Sequence, residues 1–141
     1  MQRAHPIKVL LVDDSPTVRS ILTRVLSNES DIQVVGGATD PYDARELIIK
    51  HRPDVIILDI EMPRMDGLTF LKKLRTHYPV PVIMCSGVAP ANSQAALDAI
   101  EFGAIDLVAK PKAGGSAALA RLGEVLADKI RAAAVALPPR P

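Results

Sequence analysis

Residues 7–16 read IKVLLVDDSP, and this stretch decides the fold. Ile7 to Val12 is a short apolar run, broken only by Lys8, with no strict alternation, the pattern of a strand buried on both faces. Two carboxylates follow, Asp13 and Asp14. Ser15-Pro16 then supplies a helix N-cap with proline at the first helical position. Beyond it Val18, Ile21, Leu22, Val25 and Leu26 form one apolar stripe, with Arg19 and Arg24 off it. Strand, acidic edge and helix start are thus written into one segment.

The same unit recurs outward from there. Further apolar runs lie at Ile32 to Val35, Val55 to Leu58, Val80 to Cys85 and Ile105 to Ala109. Asp40-Pro41 repeats the capping device before Ala44 to Lys50, and Pro53 closes that helix. Asp66-Gly67 opens Leu68 to His77, which Tyr78-Pro79 stops. Asn92 or Ser93 caps Gln94 to Phe102, with Gly103 at the C-terminal glycine position. Gly114-Gly115 reads as a loop before a last helix over about Ala117 to Ala134. Five βα repeats with short connections predict a flavodoxin-like, doubly wound α/β fold. It has a five-stranded parallel sheet in the order 2-1-3-4-5 and helices on both faces. Residues 1–134 form the expected domain. Residues 135–141, with three prolines, read as an irregular tail or the start of an interdomain linker.

Composition narrows the function classes. At roughly 100–200 residues per domain, 141 residues make one domain. The core must be aliphatic, since the chain has no Trp, two Phe and two Tyr. A net charge of +1 argues against non-specific nucleic-acid binding. The only cysteine, Cys85, excludes an internal disulfide and a Cys-based zinc site, and reads as a core residue. No apolar run approaches the length of a spanning helix, and residues 1–6 lack a signal peptide's apolar stretch, so the expectation is a cytoplasmic protein without membrane insertion. Arg121, Lys129 and Arg131 read as a solvated helix face.

The polar residues with chemical potential stand where the apolar runs give out. Asp13-Asp14 ends the first run, Asp59 the third with Glu61 two residues on, Ser86 the fourth, and Lys110-Pro111 the fifth. In open α/β sheets that carboxyl edge, at the switch between the first and third strands, is where ligands bind. Singly, these residues read as caps and turns. Jointly they do not, because carboxylates about 4 Å apart repel by about 4 kcal/mol per pair at an effective dielectric of about 20. Gathering three of them calls for a cation, and hard oxygen donors suit Mg²⁺, with Mn²⁺ as a substitute. A carboxylate can attack a phosphoryl group to form an acyl phosphate, and the catalysis is mainly positioning and charge stabilisation. Asp59 is the best-placed nucleophile, with Ser86 and Lys110 able to hold phosphoryl oxygens.

The segments LVDDS at 11–15, LDIEMPRMDG at 58–67, Ser86 and AKP at 109–111 resemble the receiver domains of two-component response regulators, over residues 7 to 134. The resemblance implies Asp59 as phospho-acceptor. It implies a metal held by Asp14, Asp59 and the backbone carbonyl of Glu61, with Asp13 acting through water. It also implies a cis peptide before Pro111. More narrowly, MPRMDGLTFL and GAIDLVAKP (103–111) are similar to the receiver half of chemotaxis protein-glutamate methylesterases. That implies a chemotaxis-type histidine kinase as donor, a monomer, and control of a C-terminal effector domain. Receivers that stand alone, or that serve a transcription factor, are the alternatives. The 141 residues contain no Gly-x-Ser-x-Gly elbow, and His5, His51 and His77 are expected away from the mouth, so no esterase site is expected here. A phosphatase of the Asp-x-Asp type and a flavodoxin fit worse. The first needs its nucleophile after the first strand, and the second needs a Ser/Thr/Gly-rich loop where Asp13-Asp14 stands. One departure is Leu107, where receivers usually carry an aromatic whose rotamer follows phosphorylation.

Overall fold

A computed structural model describes residues 5–62, 66–87, 93–111 and 115–136. The order is β1 (Ile7–Val12), α1 (Pro16–Ser27), β2 (Ile32–Ala38), α2 (Pro41–His51), β3 (Val55–Asp59), α3 (Gly67–His77), β4 (Val82–Ser86), α4 (Gln94–Glu101), β5 (Asp106–Ala109) and α5 (Gly115–Ala136). All strand pairs are parallel, in the order β2-β1-β3-β4-β5, as expected. No helix among the described residues is long and apolar enough to cross a membrane.

The capping residues act as the sequence implies. Ser15 Oγ accepts from Val18 N at 3.2 Å, Asp40 Oδ1 from Asp43 N at 2.9 Å, and Asp66 Oδ1 from Thr69 N at 2.9 Å. Ser93 caps α4, accepting from Ala96 N at 3.2 Å; Asn92, Gly114 and residues 137–141 of the expected tail lie outside the described residues. Strand ends differ more. β2 runs on through Gly36, Gly37 and Ala38 because β1 pairs with them, after a register shift between Val9 and Leu10 that leaves Val35 without a partner. β4 starts at Val82 and reaches Ser86, since its pairing with β5 extends to Ala109. The last helix is longer than expected at both ends. The edge strands β2 and β5 are only partly covered, while β3 and β4 are buried throughout.

The pleat divides the core in two. Val9, Leu11, Ile57, Ile83 and Cys85 pack with Leu22 and Leu26 of α1 and Leu126 and Ile130 of α5. Leu10, Val12, Ile56, Leu58, Val82 and Met84 pack on the other face with Ala44 and Ile48 of α2, Phe70, Leu71 and Leu74 of α3, and Ala99 of α4. Successive strand residues therefore serve opposite layers, which sets where the polar residues at the strand ends can point.

Arg131 and Lys129 are not simply solvated. Arg131 pairs with Asp31 at 2.7 Å and Glu29 at 2.6 Å, and Lys129 with Asp106 at 2.5 Å, tying α5 to the loop before β2 and to β5. These partners lie far away in the sequence, where helical periodicity carries no information about them.

Candidate functional site

Asp13 and Asp59 continue the parity of Leu11 and Ile57, so both aim into the layer of α1 and α5. Lys110 does the same two residues beyond Val108, which also packs on that face. Lys110 Nζ reaches Asp13 Oδ2 at 2.6 Å and Asp59 Oδ1 at 3.2 Å. Carboxylate oxygens of Asp13, Asp14 and Asp59 lie within 4.8 Å of one another, with Asp14 the exposed member. Leu11, Ile57, Leu22 and Leu122 wall the space beneath. The backbone holds the rest. Asp13 N donates to Ala38 O at 3.0 Å, and Asp13 Oδ1 accepts from Ser15 N at 2.9 Å. Arg19 Nη1 donates to Asp13 O at 2.7 Å.

Asp59 is only 2% exposed. Burial, and after it the charge of Asp13, push its carboxyl up to about 7 against the pull of Lys110, and Glu61 adds to the rise. Burial also works against the Lys110 ammonium, but its hydrogen bond to Asp13 and the charges of Asp13 and Asp59 outweigh that, and its pKa is raised. The site thus sets three carboxylates against one ammonium, and the excess negative charge is what a divalent cation would neutralise. Oxygen-only donors with one open, exposed member fit a hard cation. Cys85, one strand over, is inert: burial pushes its thiol up to about 12.

The expected bond geometry before Pro111 is not found. No cis peptide occurs among the described residues. The trans form is the favoured one even before proline, and in it Lys110 already meets Asp59.

Ser86 and Glu61 depart from the expected arrangement. Ser86 stands one residue past Cys85, the β4 partner of Asp59. Its hydroxyl donates to Glu61 Oε2 at 2.8 Å, and Gly87 N donates to Glu61 Oε1 at 2.9 Å. Glu61 N in turn donates to Asp59 Oδ1 at 3.2 Å. Sequence reasoning has a use for the Glu61 backbone only; its side chain engages residues 25 and 26 positions away, and no local pattern signals that. Gly67 likewise reads in the sequence as a helix start alone. A Cβ there would strike the Asp59 carbonyl oxygen and come within 2.8 Å of Ile60 Cα. His51 and His77 close α2 and α3, at the sheet edge away from this cluster.

Comparison with known proteins bears on the fold and the family. The family model described as "Response regulator receiver domain" matches residues 9–119. A protein-glutamate methylesterase/protein-glutamine glutaminase of Anaeromyxobacter dehalogenans is 51% identical over 138 residues, covering 98% of this chain and 38% of that protein. The chain thus spans little more than a third of the length of such curated relatives. The crystal structure of the response regulator domain of Thermotoga maritima CheB superposes with a TM-score of 0.86 at 36% identity, covering 95% of this chain and 100% of that one. A chain in the crystal structure of the P1 domain of CheA3 in complex with CheY6 from R. sphaeroides gives 0.76 at 32% identity, covering 94% and 100%.

Proposed function

Because the chain belongs to the response regulator receiver family, we propose that it is the phospho-accepting regulatory part of a chemotaxis protein-glutamate methylesterase, with Asp59 as acceptor. The observation that carries the reading is the buried Asp59 carboxyl, raised to about 7, between Asp13 and Lys110. The methylesterase parent is favoured over a stand-alone receiver because, among solved structures, the CheB receiver fits with a TM-score of 0.86 at 36% identity, against 0.76 at 32% for the chain from the CheY6 complex.

In this reading the donor is a phosphohistidine of a chemotaxis-type kinase. An Asp59 oxygen forms the new P–O bond as the donor's P–N bond breaks, and the freed imidazole leaves. Lys110 neutralises charge on one phosphoryl oxygen, and the Ser86 hydroxyl is available to another. Asp14, Asp59 and the Glu61 carbonyl, with Asp13 through water, would hold Mg²⁺, which when bound supplies charge neutralisation for the transferring group. Residues 1–134 are the receiver in this proposal; α5 carries Val135 and Ala136 past that bound, and the proline-rich stretch after them starts the linker towards the effector domain that it controls.

Acetyl phosphate labelling of the purified chain in Mg²⁺ tests the assignment. The parent should be labelled, Asp59→Asn should not, and Lys110→Ala should be labelled but respond poorly. Undiminished labelling of Asp59→Asn sinks the assignment, since an acyl phosphate needs the carboxylate.

A further inference from the structure

The Ser86 hydroxyl has one proton to give, and in this structure it goes to Glu61. The same carboxylate takes the Gly87 amide, so one side chain bridges the end of β4 and the first residue of the loop after it. Ser86 is 1% exposed, so its hydroxyl depends on a protein partner rather than on bulk water. Glu61 is also anchored at its own backbone, through Glu61 N on Asp59 Oδ1. The bridge therefore starts at the residue that reacts and ends at the residue that has to move.

Resting on the reading of Asp59 as phospho-acceptor, we propose that the Glu61 carboxylate is an internal stand-in for the phosphoryl group, a latch that occupies Ser86 and Gly87 until phosphorylation displaces it. Two physical terms drive the exchange. A phosphoryl group brings about −1.5 to −2 charges next to Glu61, which like-charge repulsion expels. The same group offers the Ser86 hydroxyl a charge-assisted bond equal in kind to the one it loses. Because one anion replaces another, the buried Ser86 hydroxyl passes from one acceptor to a second without being left unpaired. The latch sets the threshold of the switch: the tighter Glu61 holds, the smaller the share of phosphorylated chain in which Ser86 has turned to the phosphoryl group.

A double-mutant cycle read by beryllofluoride binding in Mg²⁺ tests this. Glu61→Ala should tighten beryllofluoride binding by on the order of tenfold, the scale of one hydrogen bond to a charged group. In a Ser86→Ala background most of that gain should disappear, because the contest for the hydroxyl is gone. In the metal-free chain, the Gly87 amide should exchange faster in Glu61→Ala than in the parent. Glu61→Gln, which keeps the length and one acceptor but not the charge, should fall between the two in both measurements. An equal gain with and without Ser86 overturns the latch and leaves Glu61 acting by charge alone. Unchanged Gly87 exchange, or weaker beryllofluoride binding in Glu61→Ala, overturns it too. If the parent binds no beryllofluoride at all, the Asp59 reading fails and takes the latch with it, a result distinct from binding without coupling.

Discussion

Asp59 is held with a pKa of about 7, against 3.8 for the free side chain. The native chain therefore binds that proton more tightly than the unfolded chain. For this group, stability is full below about pH 4, is lost as pH rises towards 7, and stays lost above it. Asp59→Asn should stabilise the metal-free chain at pH 8, by at most about 4 kcal/mol at about 1.4 kcal/mol per pKa unit. The gain should shrink towards nothing near pH 4. Urea denaturation at the two pH values reads this, and a pH-independent gain would mean that the Asp59 charge is not the source of strain. Mg²⁺ should raise the parent's midpoint at pH 8 and move Asp59→Asn much less, because a ligand stabilises the state that binds it.

At the scale of elements, the start of α3 packs closely against the end of β3. Asp66 caps the helix, and Gly67 N donates to Ile60 O at 2.8 Å, drawing the helix start against the Asp59 backbone. Gly→Ala inside a helix is ordinarily favourable. Here the added methyl meets backbone on one side and Met84 Cε at 3.0 Å on the other. Gly67→Ala should lower stability by about 1–3 kcal/mol, the usual range for overpacking, whereas Asp66→Ala should cost about 1 kcal/mol through the lost cap. A urea midpoint for Gly67→Ala at or above the parent's would show that the turn opens freely. The two residues look alike in sequence, as a turn pair before a helix. Their different roles come from how closely α3 approaches β3.

Across the whole molecule, the proposed phosphorylation of Asp59 has to be felt at a surface. Lys110 N donates to Ser86 O at 2.8 Å, so the ends of β4 and β5 move together. Beyond them lies an apolar surface on α4 and the turn after it: Leu97, Ile100 and Ile105 are all about half exposed. The expected responsive face is therefore α4, β5 and α5. Leu107, partly buried against the α2, α3 and α4 layer, has no aromatic ring to flip between two rotamers. The loop expected above it, residues 88–92, lies outside the described residues. The expected outcome is a graded switch. Amide exchange with and without beryllofluoride should change over residues 86–110, with intermediate protection at sub-saturating ligand. Changes confined to Asp13, Asp14 and Asp59 would mean that the signal leaves by another route.

Local chemistry made the order of elements and the acidic edge legible. Apolar runs at Ile7, Val55 and Val80 and caps at Ser15, Asp40 and Asp66 act within a few residues of themselves, so their meaning survives without a fold. Convergence of Asp13, Asp14, Asp59 and Lys110 followed from topology, because parallel strands carry their carboxyl ends to one edge. What only the tertiary structure decided is which side of the sheet each group faces and whom it meets. Ser86 is held by the Glu61 side chain; Arg131 reaches Asp31 and Glu29; β2 gains Gly36 to Ala38 from its pairing with β1. The elevated pKa of Asp59 belongs here as well, since desolvation depends on what the rest of the chain packs around a residue. These contacts join residues brought close only when strand register and pleat parity are set, and no short window of sequence contains both partners.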